Sequence, residues 1–205
     1  MLTLYYSPQT RATGVRILLE ELGAPYELHV MDRNADELHG PDYLAINPLG
    51  KVPAIVHDGA VITEQVAIYP YLADAFPERG LAPPIGDADR GPYLRWMAFY
   101  GSSFEPALVD KAMSRDPGQR AMSPYGSLDA VIDAVAGQLG RGPFMLGERF
   151  SALDILWGSA VGWMLMFKML PEKPVFTAYA GRIAGRAAAR KVTEEDAALA
   201  ARQQK

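Results

Sequence analysis

Strand-like and helical patterns occupy different parts of this 205-residue sequence. Short apolar runs of strand character occur at 2–6, 26–30, 54–56 and 60–63, and strand signals stop after residue 86. From there on, apolar residues recur with the spacing of amphipathic helices. This order predicts a small α/β domain followed by an all-helical domain.

The first part of the chain has the element order of a compact α/β unit. Helical spacing over 12–23 lies between the first two strands, and such a crossover normally places the strands parallel. The polar stretch 31–51 has room for one irregular helical turn, and "HDG" at 57–59 is a hairpin signal. With a further helix over 64–76, the predicted order is β-α-β-α-β-β-α.

The second part reads as helices throughout. The predicted helices span 88–104, 127–139, 151–167 and 175–190. The Ala-, Glu- and Gln-rich tail 193–205 has the composition of a frayed helix. Pro and Gly are frequent at 79–87, which predicts a linker between domains at 1–78 and 88–205.

Composition excludes several classes of site. The chain has no cysteine and three scattered histidines, which argues against disulfides, thiolate chemistry and a metal centre. Its net charge of −4, without a basic run, argues against nucleic acid as a partner. The N-terminus lacks a secretory pattern, and the longest apolar stretch, 155–167, is too short to span a membrane. A cytoplasmic protein is the expectation.

Four segments carry a family resemblance. They are "SPQTRATGVRILLEELGAPYEL" at 7–28, "NPLGKVPAI" at 47–55, "TEQVAIYPYLADAFP" at 63–77 and "FMLGERFSALDI" at 144–155. In this order and spacing they resemble the cytosolic glutathione transferases, specifically a bacterial, cysteine-less member. The resemblance covers essentially the whole chain. It implies a thioredoxin-like N-terminal domain, an all-α C-terminal domain, glutathione as co-substrate and a homodimer.

Pro53 stands at the mouth of a strand, where a residue without an N–H fits poorly. From spacing alone, an ordinary trans proline opening an edge strand is favoured, since few X–Pro bonds are cis. The family resemblance implies instead a cis Val52–Pro53 bond. It would present the N–H and C=O of Val52 to the cysteinyl backbone of glutathione.

The resemblance also assigns the charged ends of glutathione. Glu64 matches the acid that binds the γ-glutamyl ammonium, and Gln65 follows it where the family usually has Ser or Thr. Lys51 is a candidate for the glycyl carboxylate, with His39 as a weaker second donor. The plain alternatives are a helix-start carboxylate for Glu64 and a solvated loop lysine for Lys51.

The group that favours the glutathione thiolate is predicted near the end of the first strand or the start of the first helix. The candidates, in order, are Thr10 as a hydroxyl donor, Arg11 as a fixed charge, and Ser7. Thr10 is equally suited to cap the helix. Tyr5 and Tyr6 alternate on a strand, so at least one of them belongs to the core.

The electrophile pocket is expected between the domains, lined from the helix at 88–104. The candidate residues are Trp96, Tyr100, Ser103 and Phe104. Aromatic residues at helical spacing are equally compatible with plain core. The implied activity is conjugation of glutathione to small hydrophobic electrophiles in detoxification. The alternatives are a glutathione-dependent isomerase or peroxidase, and a non-catalytic binding or regulatory protein, favoured by Gln65 and by the lack of a clear activator.

Five further residues have predicted structural roles. Ser151 and Asp154 form a capping-box-like pattern before an apolar helix, so loss of Asp154 should reduce stability rather than turnover. Pro70 lies inside the predicted helix 64–76 and should disturb it. Tyr69 and Tyr71 on that helix are candidate exposed apolar residues for a dimer face.

Overall fold

The computed structural model describes residues 1–32 and 34–203, which pack as two compact units. The first contains residues 1–79 together with 186–205, and the second contains residues 80–185. The C-terminal segment, grouped with the helical domain in the sequence analysis, thus packs with the first unit.

The first unit is built on a four-stranded sheet in the order β2-β1-β3-β4. Its strands are β1 (Leu2–Tyr6), β2 (Glu27–Val30), β3 (Ala54–His57) and β4 (Ala60–Thr63). β1 runs parallel to β2 and antiparallel to β3, which forms an antiparallel hairpin with β4. Asp58 and Gly59 both have positive φ, as a two-residue hairpin turn requires, which confirms the predicted hairpin.

Four helices accompany the sheet. They are α1 (Ala12–Leu22), α2 (Pro41–Leu44), α3 (Gln65–Ala75) and α9 (Ala187–Gln203). α1 ends at Gly23, which adopts the left-handed conformation that glycine allows. Pro70 lies inside α3, where a proline cannot donate the intrahelical hydrogen bond, and the predicted disturbance of the helix stays a prediction. Tyr69 on this helix is fully buried, so its prediction as an exposed apolar residue is wrong.

Among the residues that the structure describes in the second unit, the regular elements are helices joined by loops. They are α4 (Arg90–Phe99), α5 (Glu105–Ala112), α6 (Leu128–Leu139), α7 (Ala152–Met166) and α8 (Pro174–Ala184). The predicted helix 88–104 ends in a π-helical segment, Tyr100–Phe104, that leads directly into α5. α7 and α8 approach so closely that a Cβ on Gly158 would lie 2.5 Å from the Ile183 side chain.

The predicted helix 175–190 is divided at Gly185, and the tail beyond it is regular helix as far as Gln203. α9 packs on α1, and ion pairs join the two segments. Arg186, just before α9, binds Glu21 at 2.6 Å, and Lys191 binds Glu20 at 2.7 Å. A composition typical of fraying is therefore offset by tertiary contacts.

Asp154 holds the start of α7 by four donors. Its buried carboxylate accepts hydrogen bonds from the Ser151 N–H at 2.9 Å, the Ser151 hydroxyl at 3.2 Å, the Met145 N–H at 2.7 Å and the Tyr179 hydroxyl at 2.9 Å. The predicted capping box is present and is extended by two residues distant in sequence. Burial raises the pKa of Asp154, whereas the hydrogen bonds from the four donors lower it. Burial has the larger effect, and the pKa is about 6.

We expect Asp154→Ala to lower the free energy of unfolding by at least about 2 kcal/mol, because buried donors lose their acceptor. The matched control is Asp133→Ala, which removes an exposed carboxylate paired with Lys173 and should cost little. Urea denaturation followed by circular dichroism measures both. A variant of Asp154 that keeps its stability but loses turnover would contradict the structural role.

The comparison of wild type with Asp154→Ala also tests the pKa of Asp154. Because the pKa in the folded state lies above the ordinary value of about 4, folding favours the protonated form. The stability advantage of wild type over Asp154→Ala should therefore grow as the pH falls from 7 towards 4. An advantage that shrinks over this range would mean that the hydrogen bonds, and not burial, dominate.

Candidate functional site

Three loops of the first unit meet at one end of the sheet because of the strand register. Ala54 at the start of β3 pairs with Tyr5 on one side and with Thr63 on the other. The segment after β1, the segment before β3 and the segment after β4 therefore leave the sheet at the same end. All predicted glutathione-binding and thiol-activating residues except His39 lie in these three segments.

The segment before β3 contains a cis Val52–Pro53 bond, as the family resemblance implied. The preceding carbonyl, that of Lys51, accepts hydrogen bonds from the Tyr43 hydroxyl at 2.5 Å and from the Asn47 side-chain amide at 2.7 Å. No described residue forms a hydrogen bond with the N–H or C=O of Val52. A fixed loop thus presents one backbone donor and one acceptor, as pairing with an extended peptide requires.

His39 lies against this loop and brings a second basic side chain near Lys51. Gly50 has φ +59, and a Cβ there would be 2.9 Å from the His39 ring. The His39 Nδ1 lies 2.6 Å from Asp36 Oδ1. The side chains of Lys51 and His39 are both exposed, so a carboxylate can reach them from solvent.

The start of α3 carries Glu64 and Gln65. Glu64 is exposed, and its backbone adopts φ 64, which is uncommon for a non-glycine residue. Its carbonyl accepts the first hydrogen bonds of the helix, from the N–H groups of Ala67 and Ile68. Strained backbone held by the surrounding structure is frequent at binding sites.

The starts of α3 and α1 are neighbours. The side-chain amide of Gln65 donates to the carbonyl of Arg11, at 3.3 Å. Two helix N-termini, each with N–H groups that lack intrahelical acceptors and with partial positive charge, therefore lie close together. Helix N-termini of this kind are common binding positions for anions.

The predicted thiol activators occupy the turn between β1 and α1. The Thr10 hydroxyl donates to the Ser7 carbonyl at 2.6 Å and accepts from the Ala12 N–H at 3.2 Å, so it also caps the helix. Ser7 is fully buried, and its hydroxyl has no hydrogen-bond partner among the described residues. Arg11 is exposed. Of the three, Ser7 is thus the one that solvent does not reach.

Tyr6 belongs to the core, and Tyr5 is half-buried beside His29 and Tyr43. The Tyr6 hydroxyl donates to Asp196 of α9, a contact that no sequence pattern indicated. Burial, followed by this hydrogen bond, raises the pKa of Tyr6. Tyr6 therefore remains protonated and is committed to Asp196.

The predicted electrophile-binding residues lie in the second unit, around Trp157. The ring centroids of Trp96, Tyr100 and Phe104 are 5.8, 5.4 and 4.8 Å from that of Trp157. Each of the three is at most 4% exposed, and Ser103 is 9% exposed. Within this unit they form an aromatic core, and contact with an electrophile stays a prediction.

A surface groove of about 480 Å³ lies on the second unit. Its lining residues are Asp89, Gly91, Pro92, Arg95, Trp96, Gln138, Arg141 and Leu146. Trp96 is the one predicted electrophile-binding residue among them, and Arg95 covers its ring at 3.8 Å. The lining mixes charged side chains with apolar ones, so it does not by itself indicate the class of ligand.

Within residues 1–32 and 34–203, no three His, Cys, Asp or Glu side chains come together in a way that could hold a metal ion. No helix there combines the length and apolar character needed to cross a membrane.

Comparisons of the sequence and of the structure with known proteins lead to the same family. Residues 1–74 match the family described as glutathione S-transferase, N-terminal domain. The glutathione S-transferase-like protein gedE of Aspergillus terreus is 31% identical over 172 residues, which are 76% of this chain and 74% of the fungal protein. The glutathione transferase from Methylococcus capsulatus superposes with a TM-score of 0.80 at 31% identity, covering 97% of this chain and 100% of its own. A sphingomonad glutathione S-transferase complexed with glutathione superposes with a TM-score of 0.79 at 32% identity, covering 95% and 98%.

Proposed function

Because the chain belongs to the glutathione S-transferase family, we propose that it binds glutathione and conjugates it to small hydrophobic electrophiles. The observation that carries the proposal is the meeting of three loops at one end of the sheet, one of them presenting the open backbone of Val52. That arrangement supports an extended anionic peptide as ligand.

Each part of glutathione has a complementary group in these loops. The cysteinyl backbone pairs with the N–H and C=O of Val52 beside Pro53. The glycyl carboxylate meets Lys51, with His39 next to it. The γ-glutamyl ammonium binds Glu64, and its carboxylate binds the N-terminal N–H groups of α3 and the amide of Gln65.

The thiol lies towards the start of α1 in this arrangement. A free thiol has a pKa of about 8.5, and a positive end of a helix or a cation lowers it. Thr10 provides a hydroxyl and Arg11 a fixed charge at this position. The thiolate then attacks the electrophilic carbon; with an aryl halide a C–S bond forms, halide leaves, and the thiol proton passes to solvent.

One observation favours a second candidate, a glutathione-binding protein without conjugating activity. The only hydroxyl proton of Thr10 is directed to the Ser7 carbonyl, at 2.6 Å. For Thr10 to donate to sulfur, this bond must be given up. A regulatory or binding role needs the peptide site alone.

We expect reduced glutathione to bind the purified protein with a Kd between about 1 μM and 1 mM, measured by titration calorimetry. Glu64→Gln should weaken binding about ten- to a hundredfold, because it removes a charge-assisted hydrogen bond. The matched control is Glu27→Gln, an exposed carboxylate on the edge strand β2. No heat with folded wild type, or equal losses in both variants, would rule out the proposed site.

Turnover of an activated aryl chloride tests which residue activates the glutathione thiol. Thr10→Val should lower kcat about tenfold or more, and Thr10→Ser, which keeps the hydroxyl, should retain most of it. The pKa of bound glutathione, followed through thiolate absorbance, should rise in Thr10→Val. Unchanged kcat and pKa in this variant would transfer the role to Arg11, tested by Arg11→Gln against Arg11→Lys.

A further inference from the structure

A carboxylate from the far end of the chain reaches the turn between β1 and α1. Asp196 on α9 is 6% exposed, and its two oxygens accept from the Gln9 N–H at 3.0 and 3.2 Å. The same carboxylate accepts from the Tyr6 hydroxyl and, at 3.3 Å, from the Thr13 hydroxyl. One side chain thus joins the end of a strand, the turn and the first turn of a helix, all within the first unit.

The backbone of the turn depends on such a partner. Gln9 has φ 55, a left-handed conformation that is strained for a non-glycine residue. Its N–H is directed to the Asp196 carboxylate, and a charged acceptor gives a strong hydrogen bond. Asp196 therefore stabilises the conformation that Gln9 would otherwise leave.

Helix α1 lacks its own acidic cap. Its N-cap residue, Arg11, forms no side-chain capping bond, and the first turn contains no acidic residue. Asp196 instead reaches the first turn of α1 through the Thr13 hydroxyl, although the two residues are 183 apart in sequence.

We propose that Asp196 is a positioning residue for the glutathione thiol. It fixes Gln9 and thereby holds the Ser7–Arg11 turn, which contains all three candidate activators, in the geometry that meets the sulfur. The inference rests on the proposed function, because it concerns the thiol subsite of that same site. Asp196 itself does not touch the substrate.

The other charged contacts of α9 provide a comparison. Glu195, the preceding residue, forms an ion pair with Arg16, in the middle of α1. Loss of Glu195 therefore weakens the docking of α9 on α1 without removing a hydrogen bond of the turn. Glu195→Gln is the matched control for Asp196→Ala.

Three quantities are measured in wild type and in the variants Asp196→Ala, Asp196→Asn and Glu195→Gln. They are hydrogen exchange at the Gln9 amide, the pKa of the bound glutathione thiol, and kcat with an activated aryl chloride. In Asp196→Ala we expect faster exchange, a raised thiol pKa and a kcat about ten- to a hundredfold lower, with the Kd of glutathione little changed. Asp196→Asn keeps an oxygen acceptor for Gln9 and should restore most of the kcat, and Glu195→Gln should resemble wild type.

Each outcome decides the inference. It is overturned if Asp196→Ala keeps the thiol pKa and kcat of wild type, or if Glu195→Gln is equally impaired. If Asp196→Ala does not fold, Asp196→Ser takes its place with the same expectations. If wild type binds no glutathione, the proposed function is wrong and this inference fails with it. If wild type binds glutathione normally and Asp196→Ala keeps the thiol pKa and kcat of wild type, only this inference is wrong.

Discussion

The pairing of β3 with both of its neighbours is the constraint on which the candidate site depends. Ala54 is opposite Tyr5 and opposite Thr63, so the loops beyond these residues emerge side by side. A shift of either register by one residue would turn every side chain of a strand to the other face of the sheet. Fully buried and partly buried residues alternate along β1, so the core requires one particular register. The hydrogen bonds of that same register bring the three loops of the candidate site together.

The starts of two helices contribute backbone partial charges at this end of the sheet. The N-terminal ends of α1 and α3 are linked through Gln65 and the Arg11 carbonyl, and each contributes partial positive charge. Among the side chains there, Lys51 and Arg11 are exposed cations and Glu64 is an exposed anion. In the proposed complex the helix ends would attract the carboxylates of glutathione, and these side chains would determine which end of the ligand lies where.

Local patterns were sufficient to predict most of the fold. The helical spacing before Gly23, the "HDG" turn and the apolar runs each specify an element through interactions between near neighbours in sequence. The buried Tyr69 and the continuation of α9 to Gln203 were not predicted, because both depend on packing against distant residues. Burial of a residue on a helix is a property of what covers that helix, which periodicity alone does not identify.

The candidate site divides in the same way. Val52, Glu64 and their neighbours could be named from the sequence because short motifs carry them, and the structure brings their segments together. Trp96, Tyr100 and Phe104 could be named only as aromatic residues on one helix. Their burial around Trp157 depends on α7, some 50 to 60 residues further along the chain.

Two buried carboxylates illustrate what sequence reasoning detects and what it misses. Asp154 caps α7 from three residues beyond Ser151, so a four-residue pattern is enough to find it. Asp196 accepts hydrogen bonds from Gln9 and Thr13, more than 180 residues earlier in the sequence. No neighbouring sequence pattern distinguishes it from the other acidic residues of α9. A local cap stabilises the helix that contains it. A carboxylate from another helix makes the geometry of a turn depend on the docking of that helix, so the conformation of the Ser7–Arg11 turn is tied to α9.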